Sequence, residues 1–578
     1  SSRGRVLRFM GVDSDAVNWG WLSDRERFVF EAYDSSDRLH GPLLRGDGRG
    51  NLTPEGAELV PATWADALEA AAEALSGADP DRIAVIGGAR LSNESQYAWT
   101  KLAKGVLGTD NVDAQLGDGL PADLLLGLPR ATINQACTPG GTIVLLGPDP
   151  KEELGSLYLR LRHAVAHDGA TLIELTPQPT GLTGIATHSI RVRPGEAAGV
   201  VRTMFAGGSD ELGCVGAAIS SGGPVTVLLG RTSLAETEDL VAAAAVGILD
   251  NVDDVRFLSL LRRGNVHGSL DMGMSPGLLP GRTTLDTGGG RFEGAWTGTP
   301  TSTGLGCVAA LEAATAGDID VLVLLGADVL VDLPDHDLAR RALDAVGTVV
   351  AVDLFVTPTV ECADIVLAAA APTEADGSFT NLEGRVSAVA RGASAPGTSR
   401  PDWMIAAELA ERLGTNLGLT SLEGIWAEVA SVSPLHADVN PETIRDSGTE
   451  GILVTGSMPH TGSEAIDVPE PGRSTLRLVV TRSMFDNGVL NGHSSALAGL
   501  APGTLIGVSP SDLERLGLGD GSNVEVSGPR GSVTAEVSAS LRVTPGTAHV
   551  LFNQDGLTAG GLIDASMVVV DVSLARPR

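Results

Sequence analysis

Residues 362–386 read CADIVLAAAAPTEADGSFTNLEGRV, and no other stretch constrains the chain as tightly. It opens with a β-branched apolar run, Ala363 to Leu367, of the length and composition of a buried strand. The polar remainder holds Gly377 and Gly384, which predicts a loop. A buried strand end that delivers Glu374, Asn381, Glu383 and Arg385 into irregular backbone is how an open α/β sheet offers polar groups to a ligand or a second domain.

At 578 residues the chain has room for roughly three to four domains. Its net charge of −32 argues against nucleic acid or an anionic membrane surface as a partner, since both recruit Lys and Arg. The apolar run 321–325 lies between Asp320 and Asp328, far short of the roughly 18 residues that cross a bilayer, so no direct membrane insertion is expected. No charged-then-apolar leader opens the chain, and Ser1 stands where an initiator Met would, as in a fragment or a partly covered chain. Cys137, Cys214, Cys307 and Cys362 are far apart. That spacing fits buried small residues in a reducing compartment, with no disulfide framework or cluster motif. Because only 3% of residues are aromatic, the cores must be built from Ala, Val and Leu with close glycine contacts.

Along the chain, 5–10 alternates as a strand would, and 19–28 begins a short amphipathic turn. From Thr63 onward helices alternate with strands: a helix over 64–75, a strand over 82–87, a helix over 94–107 capped by Ser92 or Asn93, then strands at 142–147, 171–175, 225–230, 255–261, 321–326 and 348–352. Helices are expected over 234–246, 335–345 and 402–413. This alternation implies parallel, doubly wound sheets, two of them by strand count, with ligands at the strand ends marked by Gly87, Gly147, Gly230 and Gly326. None of these glycines completes a nucleotide-binding motif. The Gly, Pro and Met-rich segment 267–281 reads as a packed surface loop, the Gly288–Gly290 run as a flexible linker, and 434–473 as an interdomain linker. Period-2 segments return at 476–481, 504–508, 523–526, 532–537 and 548–552, with a short capped helix over 509–516 between them.

The stretch 362–386 resembles the signature of the molybdopterin oxidoreductase superfamily, here as Ala363-Asp364-Ile365-Val366-Leu367, Glu374, Gly377-Ser378, Asn381 and Glu383-Gly384-Arg385. The pattern from Ser509-Pro510 through Leu516-Gly517-Leu518 to Asp520-Gly521 resembles the dinucleotide-binding β-barrel that closes proteins of that superfamily. Asp271-Met272-Gly273 and Leu279-Pro280-Gly281 are similar to a loop of the large iron-sulfur subunit family of bacterial NADH-quinone oxidoreductase, respiratory complex I. The resemblance implies an α/β fold of doubly wound parallel sheets followed by a C-terminal β-barrel. It divides the chain into the end of an iron-sulfur subdomain (1–50), an α/β domain of two interleaved subdomains (51–433), the linker (434–473) and the barrel (474–578).

The superfamily's chemistry needs a metal ligand with a His and an Arg close by, and its small iron-sulfur subdomain closes on a cysteine. By resemblance, the cluster-ligand position is Ser23, a poor substitute for thiolate. The segment Thr109–Asp113 then places Gly117 at the metal-ligand position, Asp118 at the His and Gln115 at the Arg. Glycine cannot ligate, which leaves Asp118 as an oxygen ligand of last resort. No catalytic residue and no metal site is therefore assigned. Glu374 and Glu383 are read as part of a hydrogen-bonded network with Arg385, with an acid/base pair as the alternative. Gly492 to Ala496 lacks the strand-turn-helix setting of a nucleophile elbow, and His163 with His167 reads as surface residues near a helix end.

The resemblance implies a peripheral-arm component of complex I, on the cytoplasmic side of the plasma membrane, beside other peripheral-arm subunits. Iron-sulfur clusters, both 2Fe–2S and 4Fe–4S, are expected in an upstream part. The part in hand is expected to be a scaffold without a cofactor. The alternative is a catalytic formate-dehydrogenase-like subunit with a molybdenum-bound pterin dinucleotide, and a third reading is a pterin-free ligand-binding module.

Overall fold

The computed structural model describes residues 4–46, 58–221, 223–459 and 466–577. The expected boundary at 50/51 lies outside the described residues.

Two open sheets form the α/β part. The first has seven strands in the order Leu59–Pro61, Leu43–Arg45, Ile365–Ala368, Thr348–Asp353, Val321–Leu325, Ile83–Gly87, Val112–Asp113. Its centre is parallel, and the two early strands join its edge antiparallel. The second has five parallel strands: His188–Arg191, Thr171–Thr176, Thr142–Leu146, Val225–Leu229 and Val255–Ser259. The chain leaves the first sheet after Val112–Asp113, builds the second, and returns at Val321–Leu325. The central strands of both sheets are buried throughout, as continuous Val, Ile and Leu runs covered on both faces require.

Residues 475–575 close into a six-stranded barrel around Leu476, Leu478, Val480, Val524, Val526 and Phe552. Leu234 and Ala235 of the α/β part belong to the same core. The Leu234 amide donates to the Val480 carbonyl at 2.9 Å and the Thr237 amide to Val568 at 2.9 Å. The helix expected over 234–246 therefore begins only at Glu238, because the preceding residues run along the barrel and spend their amides there.

Several expectations are corrected. Residues 6–10 form no strand; Phe9 instead packs on Phe30 and Tyr33. The polar half of 362–386 is a hairpin, with Gly377–Thr380 paired to Arg385–Val389 around the turn at Asn381–Gly384. The segment 267–281 is not at the surface. His267 and Asp271 are buried, Asp271 being held by Arg282 at 2.7 Å. The run at Gly288–Gly290 lies in short helical turns, Leu285–Gly288 and Gly289–Arg291. The first twenty residues of the expected linker are structured, with a helix at Pro441–Asp446 capped by Asn440 and a strand at Ile452–Leu453 that extends the hairpin sheet.

Candidate arginine-lined crevice between sheets and barrel

In open α/β sheets, ligands sit beyond the carboxyl ends of the strands. Here that region is filled by charge. Arg90 follows Ile83–Gly87, Asp118 follows Val112–Asp113, Arg231 follows Val225–Leu229, and Arg262 with Arg263 follow Val255–Ser259. The barrel adds Arg482, just after Thr475–Thr481.

Asp118 is the hub. Arg263 donates to its two oxygens at 2.6 and 3.2 Å, and Arg482 donates to the second oxygen at 2.7 Å. The three side chains are 2 to 4% exposed. Burial pushes the Asp118 carboxyl up, but Arg263 and Arg482 outweigh it and hold its pKa below the ordinary value. Asp332 takes Arg90 at 2.7 Å. Burial is outweighed there too, by Arg90, Arg263 and Arg482, and its carboxyl sits at about 2. Arg262 pairs with Asp486 of the barrel side. Beside these pairs lies a void of about 30 Å³ lined by Asp118, Glu153, Arg231, Arg262 and Arg482. That is room for about two waters, whereas pockets for organic ligands run to about 300–1,000 Å³. Arg231 Nε, Arg262 Nη1, Arg263 Nε and Arg482 Nη1 border this region with no protein acceptor.

These residues do not fit a molybdenum or tungsten centre. Both Asp118 oxygens are taken by guanidinium groups. A Cβ on Gly117 would meet Val308 and Leu333 at 3.1 and 3.2 Å, and Gly117 has φ +66°. A longer residue there would face an apolar wall. None of the four cysteines lines the void. Gln115 closes its own turn, donating to Leu120 O at 2.8 Å and accepting from Leu120 N at 3.2 Å. Ser23 caps the helix Asp24–Phe28, with Glu26 answering in a capping box.

The four residues of the 362–386 stretch lie outside the crevice lining, and they separate into two groups. Asn381 Oδ1 accepts from the amides of Glu383 and Arg385 at 2.9 and 3.0 Å, and Glu383 accepts from Arg385 Nε at 2.8 Å and from Ile133 N at 2.6 Å. This network ties the hairpin to the second sheet's unit. Glu374 is not part of it. It takes a two-pronged ion pair from Arg38 at 2.9 and 2.8 Å, with side-chain exposures of 1 and 4%. Ser494 and Ser495 dock on Glu31 of the amino-terminal segment. His163 and His167 sit ring to ring at 4.9 Å, with His163 half exposed.

The strand-end glycines point to this region, but the arginines beside them carry its charge. Their signal is present in VIGGAR at 85–90, VLLGR at 227–231, LSLLRR at 258–263 and LVVTR at 478–482, each with an arginine within four residues of the end of an apolar strand.

The buried carboxyls make a prediction. Burial raises Asp328 and Asp402 to about 7, and Asp113 and Asp353 to about 6. A raised carboxyl contributes stability that is complete below its unfolded pKa near 4 and is lost as pH rises through 6 to 7. Asp332 and Asp271, both at about 2, act oppositely, and their contribution is lost as pH falls from about 4 to 2. The stability difference between the wild type and Asp402→Asn should therefore be most favourable to the wild type near pH 4 and decline between about pH 4 and 7, the window between the unfolded and folded values of this carboxyl. A difference in melting temperature that stays constant from pH 4 to pH 8 would contradict this.

Residues 38–211 and 215–412 match the molybdopterin oxidoreductase family, and residues 479–567 match the molydopterin dinucleotide binding domain. The chain is 28% identical to the G 2 subunit of NADH-quinone oxidoreductase from Rhizobium meliloti, over 97% of this chain and 69% of that protein. It is 26% identical to the alpha subunit of F420-dependent formate dehydrogenase 2 of Methanococcus maripaludis, over 95% of this chain and 91% of that protein. Among solved structures, acetylene hydratase from Pelobacter acetylenicus superposes with a TM-score of 0.68 at 14% identity, covering 96% of this chain and 94% of that one. That superposition carries the fold alone. With both of its parts matched in the family's order, the chain belongs to the molybdopterin oxidoreductase family.

Proposed function

We propose that this chain is the molybdopterin-oxidoreductase-like part of the large iron-sulfur (G) subunit of a NADH-quinone oxidoreductase, and that it serves as a scaffold in the peripheral arm. The observation that carries the reading is the clamped crevice: Asp118 is spent on Arg263 and Arg482, and Gly117 faces an apolar wall. A pterin dinucleotide would have to displace Asp118 from Arg263 and Arg482, and breaking a buried ion pair costs about 3–5 kcal/mol; the guanidinium nitrogens left without a protein acceptor border a void with room for about two waters. On this reading Ser23 and Gly117 are lost ligand positions, and residues 1–50 close an iron-sulfur subdomain. The 2Fe–2S and 4Fe–4S clusters that relay electrons from NADH toward quinone lie in another part of the subunit. Its partners are the other peripheral-arm subunits, on the cytoplasmic side of the plasma membrane. No helix among the described residues is long and apolar enough to cross a membrane, in keeping with a peripheral place.

The second reading, a formate-dehydrogenase-like catalytic subunit, is favoured by the match to nearly the whole length of the Methanococcus maripaludis alpha subunit. Elemental analysis for Mo and W, with a fluorescence assay for oxidised pterin on the same anaerobically purified sample, separates the two. The scaffold reading expects neither metal nor pterin. Stoichiometric Mo or W with pterin would overturn it in favour of the catalytic one.

A further inference from the structure

A buried guanidinium is costly unless its N–H groups find acceptors and its charge finds a partner. Three arginines that line the crevice void fall short on the first count. Arg231 Nε, Arg262 Nη1 and Arg482 Nη1 are buried and have no protein acceptor. The Arg231 and Arg482 side chains are only 7 and 3% exposed. They reach the void from two units: Arg231 and Arg262 follow strands of the second sheet, and Arg482 follows the first strand of the barrel.

The charge falls short as well. Asp118 serves both Arg263 and Arg482, and Asp486 serves Arg262. Arg90 already answers Asp332. The carboxylate beside Arg231 is Glu238, whose side chain is 44% exposed and so screened by solvent. Glu153 lines the void, but burial pushes its carboxyl up against the pull of Arg262, Arg482 and Arg25. Burial and Arg262 push the Arg482 guanidinium below its ordinary value, with Asp118 opposing them. The guanidinium groups of Arg231, Arg262, Arg263 and Arg482 thus face the carboxyls of Asp118, Glu153 and Asp486, a surplus of one positive charge.

A water molecule could accept from these donors, but it carries no charge and must place its own two protons. A monovalent anion accepts from all three arginines and cancels the surplus. Room for about two waters admits an ion of chloride size and leaves out phosphate. Pro148, Leu234, Leu260 and Val480 supply apolar wall, which strengthens the attraction.

We propose that the crevice binds one small monovalent inorganic anion of halide size, held by Arg231, Arg262 and Arg482. Bound there, the anion joins the barrel to the second sheet at a point where like charges otherwise meet. The inference rests on the scaffold reading, since a pterin dinucleotide would claim the same guanidinium groups.

The test uses the complete native polypeptide, purified from its own host and followed by hydrogen exchange in gluconate, chloride or formate at constant ionic strength. Saturating chloride should slow exchange over 228–234, 258–263 and 478–484 by at least about tenfold relative to gluconate. Arg231→Met should need at least about tenfold more chloride for half of that protection. Glu153→Gln removes a repelling carboxyl and should need at least about threefold less. Unchanged exchange over 523–537, away from the crevice, reports that a variant is folded, and Glu153→Gln keeps the test decisive if Arg231→Met is not. Equal exchange in chloride and gluconate means that water alone fills the void, and overturns the anion site while the scaffold reading stands. Protection spread evenly over the chain, or a chloride response that neither folded variant moves, overturns it too. Protection by formate without chloride overturns the halide site and favours the catalytic reading. Stoichiometric Mo or W with pterin in the same sample overturns both proposals.

Discussion

Replacing Asp118 by Ala should destabilise the protein by about 3–5 kcal/mol, the usual effect of removing one partner from a buried ion pair and leaving the other charge uncompensated. The effect is expected at the upper end, because two guanidinium groups, of Arg263 and Arg482, depend on this one carboxylate. Both side chains are under 5% exposed, and the adjoining void has room for about two waters, too few to hydrate two guanidinium groups. Replacing all three residues together, as Asp118→Leu, Arg263→Met and Arg482→Met, should recover most of the loss, because an apolar filling carries no desolvation penalty. Denaturant unfolding followed by hydrogen exchange at 112–118 and 259–263 reads both outcomes. If Asp118 were instead a metal ligand, Asp118→Ala would lose metal while the apo-protein's stability stayed within about 0.5 kcal/mol. That result would remove the basis of the scaffold reading.

Arg38→Met should cost about 3–5 kcal/mol as well, but locally. Arg38 joins the amino-terminal segment to the 362–386 stretch, through the fork to Glu374 and a 2.8 Å bond to the Tyr33 carbonyl. Without it Glu374 keeps only the Ala371 amide at 2.7 Å in a site that is 4% exposed on the side chain. Hydrogen exchange should therefore rise over 30–45 and 371–374 while the barrel stays protected. Arg38→Lys should rescue only part, because an ammonium cannot form the two parallel bonds to a carboxylate. If exchange rose uniformly across the chain, the pair would not be the local clamp described here.

Much of the α/β architecture is legible in the sequence, for a simple reason. Runs such as IAVIG at 83–87, TIVLL at 142–146 and VLVLL at 321–325 read as strands buried on both faces, being short, rich in β-branched residues and bounded by turn or polar residues, and the helices between them carry capping residues such as Thr63 and Ser92. Strands of the barrel read as period-2 segments beside the Gly-bounded helix at Pro510–Leu516, and their closure into a barrel is what the family resemblance implies. The hairpin at 377–389 reads as a loop, because Gly377, Asn381 and Gly384 are turn residues whose partner strands become visible only when paired. The linker misleads for a related reason. Residues 434–454 lack periodicity, yet they contribute single anchors, with His436 and Ile444 buried and Ile452 paired to Val386.

The candidate site divides in the same way. By itself the sequence determined that residues 23, 115 and 117 are Ser, Gln and Gly, a local fact about single side chains, while their placement at the cluster-ligand, arginine and metal-ligand positions is what the resemblance implies. It also placed the arginines at the strand ends, although their meaning is not apparent there. Only the tertiary structure decided that Asp118 is shared by an arginine of the second sheet and another of the barrel, 145 and 364 residues away in sequence, and that Glu374 belongs to Arg38 and not to Arg385. Charge pairing at such separations leaves no periodic trace, since any carboxylate can serve any guanidinium. The fold alone brings the two to within 3 Å, in a place dry enough for the pairing to matter.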